Sequence, residues 1–157
     1  MPRRSFFSLA FSLAALAAPL AAQPSIVGTW SVRLPDAVRN QDGVQTVVST
    51  TTATLVLEAR GDSVVGTLTR SQSGVPRAVR GTVTGSQATL QADTKARVMT
   101  NGEEHTLSLI TTFRFTLDGD SMRGTSETRL DPSAKPAIEF PGVEQEPVQV
   151  TATRVKK

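Results

Sequence analysis

Chemistry in this chain would have to be built from few parts. There is one histidine, His105, and no cysteine. His105 follows Glu103 and Glu104, its only close acidic neighbours, which falls short of a metal-ligand pattern. Asp118-Gly119-Asp120 offers two carboxylates, but no full calcium loop surrounds them. A Gly-any-Ser-any-Gly nucleophile motif is absent, as is a phosphate-binding glycine loop ahead of a helix. Arg60-Gly61-Asp62 spells an adhesion tripeptide. The chain therefore reads as non-enzymatic, with no metal and no cofactor.

The tripeptide has a simpler meaning. "RGDSVVGT" at 60–67 recurs as "DGDSMRGT" at 118–125, and the shared part is Gly-Asp-Ser-apolar-any-Gly-Thr. The Arg is not retained in the second copy, whereas Gly-Asp is. Gly-Asp followed by an apolar residue is hairpin chemistry: a tight turn, then a strand.

A two-residue turn dictates which residues oppose each other, and a slip of one would reverse a strand's faces. Gly61-Asp62 sets Leu55, Leu57 and Ala59 against Leu68, Gly66 and Val64. Gly119-Asp120 sets Phe113, Phe115 and Leu117 against Ser126, Gly124 and Met122. Gly85-Ser86 sets Val79, Gly81 and Val83 against Ala92, Leu90 and Ala88. Asn101-Gly102 sets Thr94, Ala96 and Val98 against Leu109, Leu107 and His105. Ser73-Gly74 sets Gly66 and Leu68 against Gly81 and Val79. Asp42-Gly43 sets Trp30 and Val32 against Leu55 and Ala53, with Pro35 a candidate bulge. Six turns chosen by local chemistry give one common apolar face.

The expected fold is all-β: an eight-stranded antiparallel up-and-down meander closing into a barrel. Its strands are expected near 26–34, 46–59, 63–71, 76–84, 87–98, 104–117, 120–130 and 147–156. Only the last connection is long. Residues 131–147 hold Pro132, Pro136, Pro141 and Pro147 and read as a proline-rich loop.

Ahead of the strands, Arg3 and Arg4 precede an apolar run from Phe6 to Leu20 that ends in Ala21 and Ala22. This is the layout of a secretory signal peptide over 1–22, leaving residues 23–157 as a single domain, exported to the periplasm or outside the cell. The run is too short for a membrane span. The chain's 17 Lys and Arg against 14 Asp and Glu become 15 against 14 once Arg3 and Arg4 leave. That near-neutral balance, with scarce aromatics, argues against nucleic-acid binding.

Gly28-Thr29-Trp30 opens the first strand, and Arg154 lies in the last, within "TATRV". This pattern resembles that of the lipocalins and the wider calycins, where the tryptophan of a Gly-any-Trp packs beneath an arginine of the final strand. It is also similar to small exported bacterial β-barrels with repeated Gly-Asp turns and a terminal Thr-any-Arg. The resemblance implies a calycin-like barrel whose closed end is formed by Gly28, Trp30 and Arg154. An eight-stranded barrel has an interior that side chains just fill or that holds one small apolar or amphipathic ligand, and the resemblance favours the second. The loop motifs and disulfides of larger lipocalins are missing.

The inner set mixes small residues with a few bulky and polar ones. Trp30, His105, Thr111, Phe113, Phe115, Met122 and Gly124 are the candidate interior ligand contacts. For His105, a hydrogen-bonded structural role is the favoured reading and a ligand contact the alternative. Two functions stand side by side. One is a small-molecule binding module. The other is a scaffold or protein-interaction domain of the cell envelope, acting through its surface and the 131–147 loop.

Overall fold

The computed structural model describes residues 25–41, 44–134 and 144–156. The expected signal peptide, the Asp42-Gly43 turn and residues 135–143 of the proline-rich loop lie outside the described residues.

Eight antiparallel strands follow one another in chain order and close into a barrel. They are β1 (Gly28–Gln41), β2 (Val44–Arg60), β3 (Ser63–Arg70), β4 (Pro76–Thr84), β5 (Gln87–Thr100), β6 (Glu103–Asp118), β7 (Ser121–Leu130) and β8 (Gln145–Arg154). Closure pairs Trp30 with Arg154 and Arg33 with Thr151, joining the first strand to the last. A 3-10 turn, Pro132–Ala134, follows β7.

The turns explain the repeated phrase. Gly61, Gly85 and Gly119 each have φ near +60°, and the residue after each is not in the left-handed region. That is the sign pattern of a type II′ turn, in which glycine must come first. Asn101 and Gly102 are both left-handed, at φ 54° and 83°, as a type I′ turn requires. Both types match the strand twist, so local chemistry alone sets the register. Leu57 opposes Gly66, Leu90 opposes Gly81 and Phe115 opposes Gly124, as the sequence predicts.

One register differs. Gly66 opposes Val79 and Leu68 opposes Arg77, two residues away from the pairing expected from Ser73-Gly74. The connection is a five-residue loop, 71–75, in which the Gly74 amide donates to the Arg70 carbonyl at 3.0 Å. A shift of two keeps every side chain on its expected face.

β1 and β2 run further than expected, as do β5 and β6. β8 meets β1 only from Trp30 to Arg33, and β3 meets β2 only from Ala53 to Arg60. Beyond those limits β1 and β2 continue as a two-stranded ribbon. Pro35 stands there on a free edge beside a register shift, where a missing N–H is tolerated. β5 and β6 form a second ribbon past Ala92 and Leu109. Both ribbons rise from the same end of the barrel, opposite Trp30.

The core is one apolar cluster inside the barrel. Its largest fully buried members include Trp30, Phe115, Leu57, Leu90 and Met122. Burying such side chains contributes about 1.5–3 kcal/mol each. Ala59, expected on the inner face, is exposed because it lies next to the Gly61 hairpin tip, past the cluster.

Candidate functional site

The closed end is built from three chain segments. Residues 25–27 cross beneath the barrel, and Ile26 is buried there. Its carbonyl accepts from Trp30 Nε1 at 2.8 Å. The Arg154 guanidinium lies over the Trp30 ring, 4.2 Å from its centroid. It also donates to the Val27 carbonyl at 2.7 Å, to the Ser25 carbonyl, and to Asp120 Oδ1 at 3.0 Å. A Cβ on Gly28, whose φ is +131°, would stand 2.7 Å from Arg154 Nη1. Glycine is needed there for its conformation and for space.

Asp120 belongs to the second copy of the repeated turn. It anchors Arg154 through both backbone and side chain, since the Arg154 amide also donates to the Asp120 carbonyl at 2.8 Å. Nothing in the local sequence separates Asp120 from Asp62, because the role arises only when β8 arrives beside the β6–β7 turn.

Above this floor the interior is packed. Phe113 and Phe115 stack with centroids 6.0 Å apart and planes 2° from parallel. Phe115 and Met122 are fully enclosed, and Phe113 is buried. Gly124 contributes close approach of strands: a Cβ there would fall 1.7 Å from the Arg114 carbonyl oxygen. A Cβ on Gly66 or Gly81 would likewise fall 1.8 or 2.0 Å from a cross-strand carbonyl oxygen. Glycine at such positions permits the close strand approach and tight bending that a closing sheet needs.

Towards the ribbon end the inner face becomes polar. Thr111 and Thr128 share a hydrogen bond of 3.0 Å, and Ser126 and Thr51 are buried. His105 is half-buried on the β5–β6 ribbon, 3.9 Å from Glu103. Arg70 and Arg77 complete this rim. Alternation puts Arg70 on the face of Val64 and Leu68, and Arg77 on the face of Val79. Arg77 donates to Thr94 Oγ1 at 2.9 Å. Burial, and after it the like charge of Arg70, push the Arg77 guanidinium below its usual pKa. Leu107, Leu109 and Val148 are buried near this end but stand apart from the main cluster.

The structure thus divides the expected contacts between two levels. Trp30, Phe113, Phe115 and Met122 form the packed lower interior, and His105 and Thr111 stand at the open rim. The two arginines were missed by sequence reasoning, although a step of two from Leu68 or from Val79 reaches them. Among the described residues no group of three or more His, Cys, Asp or Glu could hold a metal ion.

Compared with protein-family models, curated proteins and solved structures, the chain matches none of them at the level that shows relationship. No helix among the described residues is long and apolar enough to cross a membrane. The barrel's outer face carries ion pairs such as Arg80–Asp93 and Arg114–Glu127 while its interior is apolar. That arrangement reverses the polarity of a membrane-spanning barrel.

Proposed function

We propose that this is an exported, non-enzymatic β-barrel of the calycin kind that binds a small amphipathic ligand at its open end. The observation that carries the proposal is the asymmetry of the interior. One end is sealed by Arg154 over Trp30, and the other ends in a half-buried rim of Arg70, Arg77, Thr94, His105 and Thr111. A blind apolar floor below a few convergent polar groups is the usual composition of a small-molecule site. Gly28, Trp30 and Arg154 support the calycin assignment by their contacts, and the Arg-led apolar segment at 1–22 supports export.

The ligand reading is tested by titrating delipidated protein with an apolar fluorescent probe and a panel of fatty acids. Saturable binding with one site is expected, and its absence across the panel overturns the reading. Export is checked by the mass of the protein recovered outside the cytoplasm: loss of residues 1–22 is expected, and an intact Met1 overturns it.

A second reading is a protein-interaction domain of the cell envelope. Val44, Val48, Val75 and Met99 are 66%, 56%, 60% and 65% exposed, and all lie at the open end. A stable complex recovered from the native envelope, lost on Val48→Asp with Met99→Asp, would favour this reading.

A further inference from the structure

We propose that Arg70 and Arg77 form a binding site for an oxyanion, so that the ligand is an acid with an apolar tail. This deepens the ligand reading and rests on it.

Four arginines among the described residues are half-buried: Arg70, Arg77, Arg129 and Arg154. Arg129 has Glu144 and Glu146, and Arg154 has Asp120. Arg70 and Arg77 have no carboxylate within ion-pairing distance among the described residues. The paired arginines of the outer wall make the contrast sharper, because Arg80 meets Asp93 at 2.7 Å although both are more than half exposed. Withdrawing a cation from water without a counter-ion is costly, so such groups are ordinarily paired.

The two guanidiniums are also placed together. Arg77 opposes Leu68, and Arg70 is two residues further along β3, so they are diagonal neighbours on one face, a relation that ordinarily places residues within about 7–8 Å. Each side chain is long enough to converge on a single group between them. The Thr94 hydroxyl, already bonded to Arg77, fixes that fork against β5. Planar guanidiniums present paired donors that match carboxylate and phosphate oxygens. Leu68, Leu107 and Leu109 lie buried on the same inner face and are the apolar side chains against which a tail would have to pack.

A carboxylate and a phosphate monoester share this chemistry, and one experiment separates them. Delipidated protein is titrated calorimetrically with decanoate, decyl phosphate and decanol, which differ only in the head. At least one of the acids should bind about tenfold or more tightly than the alcohol, and the tighter acid identifies the head group. The double variant Arg70→Gln, Arg77→Gln should weaken acid binding to the level of the alcohol and leave the alcohol unchanged. Arg80→Gln, on the outer wall, should leave the preference intact.

A second measurement does not depend on variants folding. Raising NaCl should weaken binding of the acids and not of the alcohol, because the attraction is partly screened. Acids and alcohol binding alike, or a preference that survives the double variant, overturns the arginine site while the ligand reading stands. If none of the three binds saturably, the ligand reading falls and the arginine site with it.

Discussion

At the scale of single residues, Arg154 has the largest number of assigned tasks. It covers the Trp30 ring, satisfies two carbonyls of the crossing segment and pairs with Asp120. Arg154→Ala should lower stability by about 2–3 kcal/mol, combining lost cation–π attraction with orphaned carbonyls. The emission of Trp30, the chain's only tryptophan, should move to longer wavelength as water reaches the ring. Unchanged emission and an unchanged denaturation midpoint would refute the closure. Glycines divide into two kinds that the same substitution separates. Gly119→Ala meets no atom within 4 Å and costs only its left-handed backbone, about 1–2 kcal/mol. Gly124→Ala drives a Cβ into the Arg114 carbonyl and should cost at least about 3 kcal/mol by forcing the strands apart. Urea denaturation of the two variants compares them directly, and equal costs would mean that close approach at Gly124 is unimportant.

At the scale of elements, the two ribbons and the barrel wall differ in support. In the wall every strand has neighbours on both sides and an apolar cluster beneath it. Past Arg33 and Ala53, β1 and β2 are strand-paired only with each other, and past Ala92 and Leu109 so are β5 and β6; residues 36–41, 44–50 and 95–106 contribute nothing to the core cluster. A two-stranded ribbon is marginal in water without further packing. Amide exchange should therefore be about a hundredfold faster or more in residues 36–41, 44–50 and 95–106 than at Leu57, Leu90 or Phe115. Uniform protection along β1 and β2 would show that the ribbons are held as firmly as the wall. Ribbon mobility on this scale would leave the Arg70 and Arg77 rim open to a ligand from solution.

At the scale of the whole molecule, the barrel depends on its shortest seam. β1 and β8 share a register only from Trp30–Arg154 to Arg33–Thr151, whereas β1 and β2 pair along nearly their full length. The seam joins the two ends of the chain, so its loop-closure cost falls late in folding. Deleting Thr151–Lys157 removes every β1 partner in β8 together with Arg154. The truncated chain should lose cooperative unfolding and expose Trp30, followed by near-ultraviolet circular dichroism and emission. Retention of a sharp transition would show that the other strands hold the barrel unaided.

The alternation of apolar residues and the chemistry of the turns settled most of this fold without tertiary information. Glycine first in Gly61-Asp62, Gly85-Ser86 and Gly119-Asp120 determined three registers, and Asn101-Gly102 a fourth, because the φ signs of a two-residue turn admit one pairing. Gly28, Trp30 and Arg154, far apart in the sequence, point to closure by their types and positions. The loop at 71–75 escaped this logic: Gly74 is left-handed, but its amide closes on Arg70, which lengthens the turn and moves the register by two. Tertiary structure alone decided the rest. Asp120 acquires its role only when β8 is delivered beside it. That no carboxylate among the described residues stands beside Arg70 or Arg77 is of the same kind. Alternation can say which way an arginine points, but whether a carboxylate stands within reach depends on strands distant in sequence, and charge attraction carries no periodicity from which that distance could be read.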